Sequence, residues 1–290
     1  VRALIAQGYD EVVDADLSGY FDNIPHHQLM KSVARRVSDR HMLHLIKMWL
    51  EAPVEEKDDR GNTRRTARNR KEHRGTPQGA PISPLLANLY MRRFVLGWKE
   101  TGYERWFSAY IVSYADDFVI CCRGTAVKAM SAMRKIMEKL RLTVNEAKTR
   151  ICKLPDETFD FLGYTFGRYY AFGTGEPYLA MRPSRKSIGR LTQRMNEATT
   201  RRWFYADVPD RVQALNRMLT GWANYFCLGP VSRVYEAVDA HARRRLRQWL
   251  RCKHKIPGRG YTCFPDEYLY QTLGLVRLSR QRRIVPWALT

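Results

Sequence analysis

Two places in the chain set carboxylates where strand-like sequence ends. In "DEVVDADLSGYF" (residues 10–21), Val13 and Ala15 alternate with Asp14 and Asp16, and Asp16 closes the run. In "VSYADDFVI" (112–120), Asp116 and Asp117 stand side by side at a bend between apolar flanks. Crowding or burying paired negative charge costs free energy. Two turn aspartates on a surface hairpin are the simplest account of "DD" taken alone. If the two strands neighbour each other in one sheet, however, Asp16 and Asp116 converge on a common edge. Convergent hard oxygens suit Mg²⁺, which takes one or two carboxylates and keeps water or phosphate in its other positions. Two such ions activate an attacking hydroxyl and stabilise a leaving pyrophosphate. A bound cation also removes the repulsion that makes the pair costly.

The elements that must aim these groups are legible from periodicity. Leu29, Val33 and Val37 recur four apart behind Pro25, which predicts a helix. Ser38-Asp39 is a cap for a second helix carrying Leu43, Ile46, Trp49 and Leu50. Residues 55–74 are almost wholly polar and predict an exposed loop or hairpin. "GTPQGAPISP" is a Gly/Pro-punctuated turn, and a helix starts near Pro84 with Leu85, Leu86, Leu89 and Tyr90. Residues 107–113 and 118–122 form a hairpin, followed by a helix over about residues 125–141 and turn-plus-strand segments in "TVNEAKTRICKL" and "FDFLGYTFGRYY". The order predicts an α+β unit with a mostly antiparallel sheet. "GRYYAFGTGEP" (167–177) reads as a boundary. Beyond it the helical period dominates: Val212, Leu215, Leu219, Trp222 and Phe226 follow Pro209, and Ser232 is a cap for a helix with Tyr235, Val238, Leu246 and Trp249.

Charge narrows the class of partner. The 290 residues carry a formal net charge of +21. Residues 182–290 hold 22 Lys/Arg against 7 Asp/Glu, a net of +15. So basic and aromatic-rich a chain has the electrostatic footprint of a nucleic-acid binder. No apolar tract is long enough to span a membrane, so no membrane partner is expected. The six cysteines form no CxxC pair, and scattered thiols suit a reducing cytoplasm.

The motifs in combination resemble a known family. "YADD" between apolar strands resembles the central motif of reverse transcriptases, and "DADLSGYFD" the preceding catalytic strand. "RGTPQGAPISPLLANLYM" is similar to the intervening turn and helix of the group II intron enzymes, "TVNEAKTR" to their Asn-x-x-Lys element, and "FDFLGYTF" to their primer-gripping hairpin. "LNRMLTGWANYFCLG" and "RRRLRQWLRCKHK" resemble the thumb and maturase region of group II intron-encoded proteins.

The resemblance implies a right-hand polymerase fold of class α+β: palm and partial fingers over 1–170, a linker at 171–185, and a helical thumb/maturase domain over 186–290. It implies that Asp16 and Asp116 hold two Mg²⁺ ions, with Mn²⁺ as a substitute, and that Leu17 lends a backbone carbonyl. Asp117 assists beside them. Phe21 lies under the nucleotide sugar, favouring dNTP over NTP, although core packing explains a Phe equally. Gln78 contacts nucleotide or template, and Lys148 approaches the triphosphate as a candidate general acid. Phe161, Leu162 and Gly163 position the primer end. In the basic helix Arg243, Arg244 and Arg247, with Arg251 and Lys253 beyond, track a phosphate backbone, while Trp222, Tyr225 and Trp249 are expected in the core.

The family carries N-terminal blocks ahead of the first catalytic strand, so with Asp16 this early the fingers are expected short and the chain is read as a fragment. No Cys/His cluster for an HNH endonuclease is present. Implied partners are an RNA template and intron RNA, a DNA primer or target, and dNTPs, in a bacterial cytoplasmic ribonucleoprotein; a homodimer stays open. The implied activity is RNA-directed DNA polymerisation with splicing assistance and retrohoming. The alternatives are a maturase acting only as an RNA-binding cofactor, and a domesticated or defence reverse transcriptase.

Overall fold

A computed structural model describes residues 1–57, 63–66, 68–77, 79–171 and 173–280. They form two compact units, Val1–Phe159 and the chain from Asp160 onward. The first unit begins with α1 (Arg2–Ala6), β1 (Glu11–Ala15), α2 (Tyr20–Asn23), α3 (His26–Ala34) and α4 (Arg40–Glu51). Asp39 caps α4: its Oδ1 accepts the His41 and Met42 amides at 2.7 and 3.0 Å. The polar stretch contains a hairpin, β2 (Val54–Lys57) with β3 (Thr63–Thr66), and α5 (Arg68–Glu72). Then come α6 (Ser83–Glu100), with Pro84 in its first turn, α7 (Tyr103–Trp106), β4 (Ala109–Tyr114), β5 (Asp117–Cys122), α8 (Ala126–Lys139) and β6 (Arg150–Lys153).

The sheet that positions the carboxylates has the order β4-β5-β1-β6. All three neighbouring pairs are antiparallel. Phe118 to Cys122 are buried without interruption, so β5 is covered on both faces and shows no alternation. The fully buried Tyr90, Phe94, Trp98, Phe118, Ile120 and Met133 make the core around it. Each such side chain contributes roughly 1.5–3 kcal/mol by leaving water. The Trp98 indole donates to the Ala109 carbonyl at 3.0 Å, so burial leaves its N–H satisfied.

The second unit carries a sheet of order β7 (Phe159–Phe161), β8 (Tyr164–Tyr170), β9 (Pro177–Pro183), then α9 (Arg185–Ala198), α10 (Val208–Tyr225) and α11 (Ser232–Lys253). Within the span 171–185, expected as a linker, Pro177–Pro183 are instead β9, Ser184 caps α9 and Arg185 begins it. Seven residue pairs join β8 and β9, from Tyr164–Pro183 to Tyr170–Pro177. The Gly-rich "AFGTGEP" is hairpin-turn chemistry, which composition does not distinguish from a flexible boundary. Ser232 is the first residue of α11 and Val231 holds the cap position, one residue ahead of the expected boundary. Trp249, at 1% exposure, is core as expected, together with Leu215, Leu219, Val238 and Leu246.

Gly229 is a position that admits no side chain. Its φ is +80°, and a Cβ built there would lie 1.9 Å from the Met181 carbonyl oxygen. Gly229→Ala is therefore expected to lower the stability of the protein by at least about 2 kcal/mol. Gly175, with φ +71° and nothing near its Cβ direction, isolates the backbone cost alone, roughly 1 kcal/mol for an alanine. Equal losses in the two variants, measured by denaturant unfolding, would show that the Met181 contact is soft.

Candidate active site

Register brings the distant carboxylates together. Ala15 pairs with Phe118 in the antiparallel β1–β5 ladder, so one step further Asp16 falls across from Asp117. Tyr114 pairs with Asp117, which leaves Ala115 and Asp116 as a two-residue bend. Ala115 has φ +56°, the left-handed value that the first position of a type II′ hairpin requires and that glycine usually fills. A non-glycine residue there stores roughly 1 kcal/mol or more of strain. The bend is thus narrow and rigid, and it holds Asp116 at the edge that Asp16 reaches.

The electrostatics report the same clustering. The Asp117 carboxyl is pushed above the usual carboxylate range, first by partial removal from water, then by the charges of Asp116 and Asp16. The buried Tyr20 hydroxyl donates to the Ala87 carbonyl at 2.6 Å. Its pKa is driven up by burial, with smaller contributions from Tyr90 and Asp116, so it stays protonated beside the carboxylates.

Asp16 is gripped from its other side by the loop between α8 and β6. The Ser18 amide donates to Thr143 O at 2.9 Å and the Asn145 amide to Asp16 O at 2.8 Å, flanking a bridge between Leu17 and Val144. In that antiparallel pattern the flanking residues make the hydrogen bonds, so Leu17's own carbonyl faces away from the loop. The Asp16 amide donates to Thr149 Oγ1 at 3.3 Å. On the side chain, Oδ2 accepts from Asn145 Nδ2 at 3.2 Å and pairs with Lys148 Nζ at 3.3 Å. Lys148, expected at a triphosphate, rests on the Asp16 carboxylate here. Asn145 is the Asn of the Asn-x-x-Lys element noted in the sequence, but its contact with Asp16, like that of Thr149, which sequence reading did not single out, depends on a bridge between segments more than a hundred residues apart.

Phe21 is half-buried and packs edge-on to Tyr20, with ring centroids 5.8 Å apart. Its carbonyl accepts the Thr76 amide at 2.7 Å, and the Gly75 amide donates to Ile24 O at 2.8 Å. His26 Nε2 donates to the Gly75 carbonyl at 2.7 Å; burial lowers the pKa of this ring. The segment 74–77 is thereby pinned beside Phe21. Gln78 lies outside the described residues.

The expected primer-grip residues belong to the second unit. Phe161 is buried, and Leu162 and Gly163 take φ of +50° and +78° in a tight turn. The Leu162 carbonyl accepts from the Tyr225 hydroxyl at 3.0 Å, and the Gly163 carbonyl from the Ser184 amide at 2.8 Å and Ser187 Oγ at 3.0 Å. The turn is therefore held by the helical elements of its own unit.

The basic helix corrects an expectation. Arg247 is 3% exposed, with Nε on the Phe264 carbonyl and its guanidinium on Asp266. Arg243 pairs with the other Asp266 oxygen at 2.7 Å. Lys253 Nζ donates to the carbonyls of Phe204 and Ala206 at 2.6 and 2.9 Å, and Arg251 to the Gly258 carbonyl at 2.6 Å. Arg243, Arg247 and Lys253 are thus committed to holding the fold, because α11 packs against α9, α10 and the short helical turns at Arg201–Trp203, Tyr268–Thr272 and Leu278–Arg280 and so turns most of its faces inward. Arg244 is exposed, bonded to His241 Nδ1 at 3.0 Å. Further arginines line clefts of the second unit. Arg194, Arg202 and Arg211 line a cleft of about 560 Å³ with Trp203, and the Arg211 guanidinium stands 4.1 Å over that indole. A neighbouring cleft of about 420 Å³ is lined by Arg201 together with Arg245 and Arg251 of the basic helix, where Arg245 is held on the Asn196 and Thr199 carbonyls.

Among the described residues, no three His, Cys, Asp or Glu side chains form a ready-made metal cage. Mg²⁺ does not need one, since it binds through one or two carboxylates and fills the rest of its shell with water and phosphate. The oxygen-only donors Asp16, Asp116 and the Leu17 carbonyl, with their mutual repulsion visible at Asp117, fit a hard divalent cation.

The chain is similar to known proteins in both units. Residues 2–166 match the family model for reverse transcriptase (RNA-dependent DNA polymerase), and residues 188–262 that for the group II intron maturase-specific domain. Protein YkfC of Escherichia coli is 31% identical over 53% of this chain and 46% of its own length. The group II intron-encoded protein LtrA of Lactococcus lactis is 37% identical over 29% of this chain and 13% of its own. The chain therefore spans less than half the length of these relatives. Apo telomerase from Candida tropicalis superposes with a TM-score of 0.47 at 13% identity, over 96% of this chain and 49% of that one. With carboxylates at one sheet edge and matches that cover both units, the chain belongs to the reverse transcriptase family and carries a group II intron maturase-specific domain.

Proposed function

We propose that the protein is an RNA-directed DNA polymerase of the group II intron type, adding dNTPs to a primer 3′-hydroxyl on an RNA template and binding its intron RNA to assist splicing and retrohoming. The convergence of Asp16 and Asp116 through the β1–β5 register carries the reading. Asp16, Asp116 and the Leu17 carbonyl would hold Mg²⁺, for which Mn²⁺ substitutes. The ions, when bound, supply a polarised 3′-oxygen and charge neutralisation on the pyrophosphate. Asp117 adds to the negative field that draws cations to this edge. Phe21, fixed through its own carbonyl by Thr76, would form the floor under the incoming sugar. Phe21→Ala is expected to raise ribonucleotide incorporation relative to deoxyribonucleotide by roughly 10–100-fold, the range that a steric pocket supplies. Single-nucleotide extension with dNTP or NTP measures it, and an unchanged ratio assigns Phe21 to packing alone.

RNA binding is the part of the reading that rests on the second unit, whose maturase-specific match coincides with the arginine-lined clefts. Guanidinium groups at a cleft with an aromatic face suit phosphates and unstacked bases together. Primer extension on an RNA template with Mg²⁺ and dNTPs tests the polymerase; extension that survives Asp116→Ala would sink the assigned mechanism. Splicing assistance that persists in the same variant separates RNA binding from polymerisation.

A further inference from the structure

We propose that Lys148 is a resident counter-ion of Asp16 which an incoming divalent cation displaces, and that Asn145 is the positioning residue which keeps Asp16 aimed while the exchange occurs. The inference rests on the polymerase reading for the existence of the cation. Three observations carry it. First, Lys148 Nζ and Asn145 Nδ2 both engage the same carboxylate oxygen, Oδ2, at 3.3 and 3.2 Å. Second, Asn145 is fixed by the backbone: its amide donates to Asp16 O at 2.8 Å, and its carbonyl accepts the Lys148 and Thr149 amides at 3.2 and 2.9 Å. Third, Lys148 is a long, 70% exposed side chain, free to swing once its partner is taken.

The two contacts differ in kind. The ammonium contact is an exposed ion pair between flexible groups, which is weak and exchangeable. The amide contact is one bond of a cluster that also holds the Asp16 amide on Thr149 Oγ1 at 3.3 Å, so it persists when the lysine leaves. A divalent cation at Asp16 and Asp116 repels an ammonium held on the same oxygen. Cation loading therefore releases Lys148, and the released ammonium is free to meet a polyphosphate at the same edge. Without a cation, Lys148 neutralises part of the negative field that Asp16, Asp116 and Asp117 create. One side chain thus serves the apo site and the loaded site in turn.

The test is Mn²⁺ binding to the whole protein, read by electron paramagnetic resonance of free Mn²⁺, in a double-mutant cycle. Lys148→Met is expected to tighten the site about threefold, the size an exposed ion pair supports. In an Asp16→Asn background the same substitution is expected to change nothing. Asn145→Ala is expected to weaken the Asp16-dependent site about threefold, with its thermal unfolding midpoint kept near that of the wild type. Primer extension by Lys148→Met is expected to fall although its cation affinity rises, an opposition that general damage to the loop does not produce. Unchanged or weaker Mn²⁺ affinity in Lys148→Met, with Asp16-dependent binding intact, overturns the displacement and leaves the polymerase reading standing. Mn²⁺ binding that is indifferent to Asp16→Asn overturns both.

Discussion

Asp116→Ala is expected to lower primer extension at least about 10³-fold, whereas Asp117→Asn lowers it only about tenfold. The two residues are neighbours in sequence but not in role. Asp116 occupies the strained bend after Ala115 and shares the sheet edge with Asp16, so in the proposed mechanism its loss removes a cation ligand. Asp117 starts β5 in register with Tyr114 and contributes charge. Its carboxyl is raised by partial burial and by Asp116 and Asp16, which means that its ionised form opposes folding. The sign follows from linkage: a carboxyl with a raised folded-state pKa destabilises the fold where it is charged, and this penalty fades as pH falls through its range. Asp117→Asn is therefore expected to raise the melting temperature at neutral pH, with the gain shrinking toward acid. A variant as inactive as Asp116→Ala would show that Asp117 is itself a ligand, and one less stable than the wild type at neutral pH would show that its charge is compensated in the fold.

Arg247→Ala is expected to destabilise the protein by about 3 kcal/mol, the cost of breaking a buried, hydrogen-bonded ion pair. The guanidinium is 3% exposed and ties α11 to Phe264 and Asp266. Asp266 would keep Arg243 at 2.7 Å, which holds the loss near the lower end of the range for such pairs. Arg244→Ala, on an exposed neighbour, is expected to change stability by under about 0.5 kcal/mol. It is expected to weaken RNA binding and to reduce the salt dependence by roughly one phosphate contact. Denaturant unfolding and filter binding over a salt series separate the two. If Arg247→Ala unfolds like the wild type and loses RNA binding instead, the assignment of Arg247 to the fold is wrong.

This contrast marks how far sequence reaches. The run "RRRLRQWLRCKHK" announces positive charge, and in a chain of net +21 the inference to a polyanion is sound. Which arginine meets solvent is set by where Phe264, Asp266 and Phe204 arrive, and those contacts join positions 17 to 49 residues apart. Helix periodicity says which residues share a face; it does not say which of a helix's faces are packed. The same limit explains the misread linker. "AFGTGEP" carries turn residues, and only the pairing of Tyr164–Tyr170 with Pro177–Pro183 makes it a hairpin.

By itself the sequence determined the chemistry on offer: hard carboxylate oxygens at two strand ends, a lysine loop after the second of them and a basic helical partner domain. Local patterns were enough for that, because strand alternation, caps and turn residues are short-range signals. Tertiary structure alone decided the rest. The β1–β5 register sets Asp16 across from Asp117, one strand step from Ala15–Phe118. The bridge at Leu17 and Val144 brings Asn145 and Lys148 onto Asp16. A carboxylate's partners depend on chain segments folded back over a hundred or more residues, and that return path is governed by packing of the whole sheet rather than by any window of sequence.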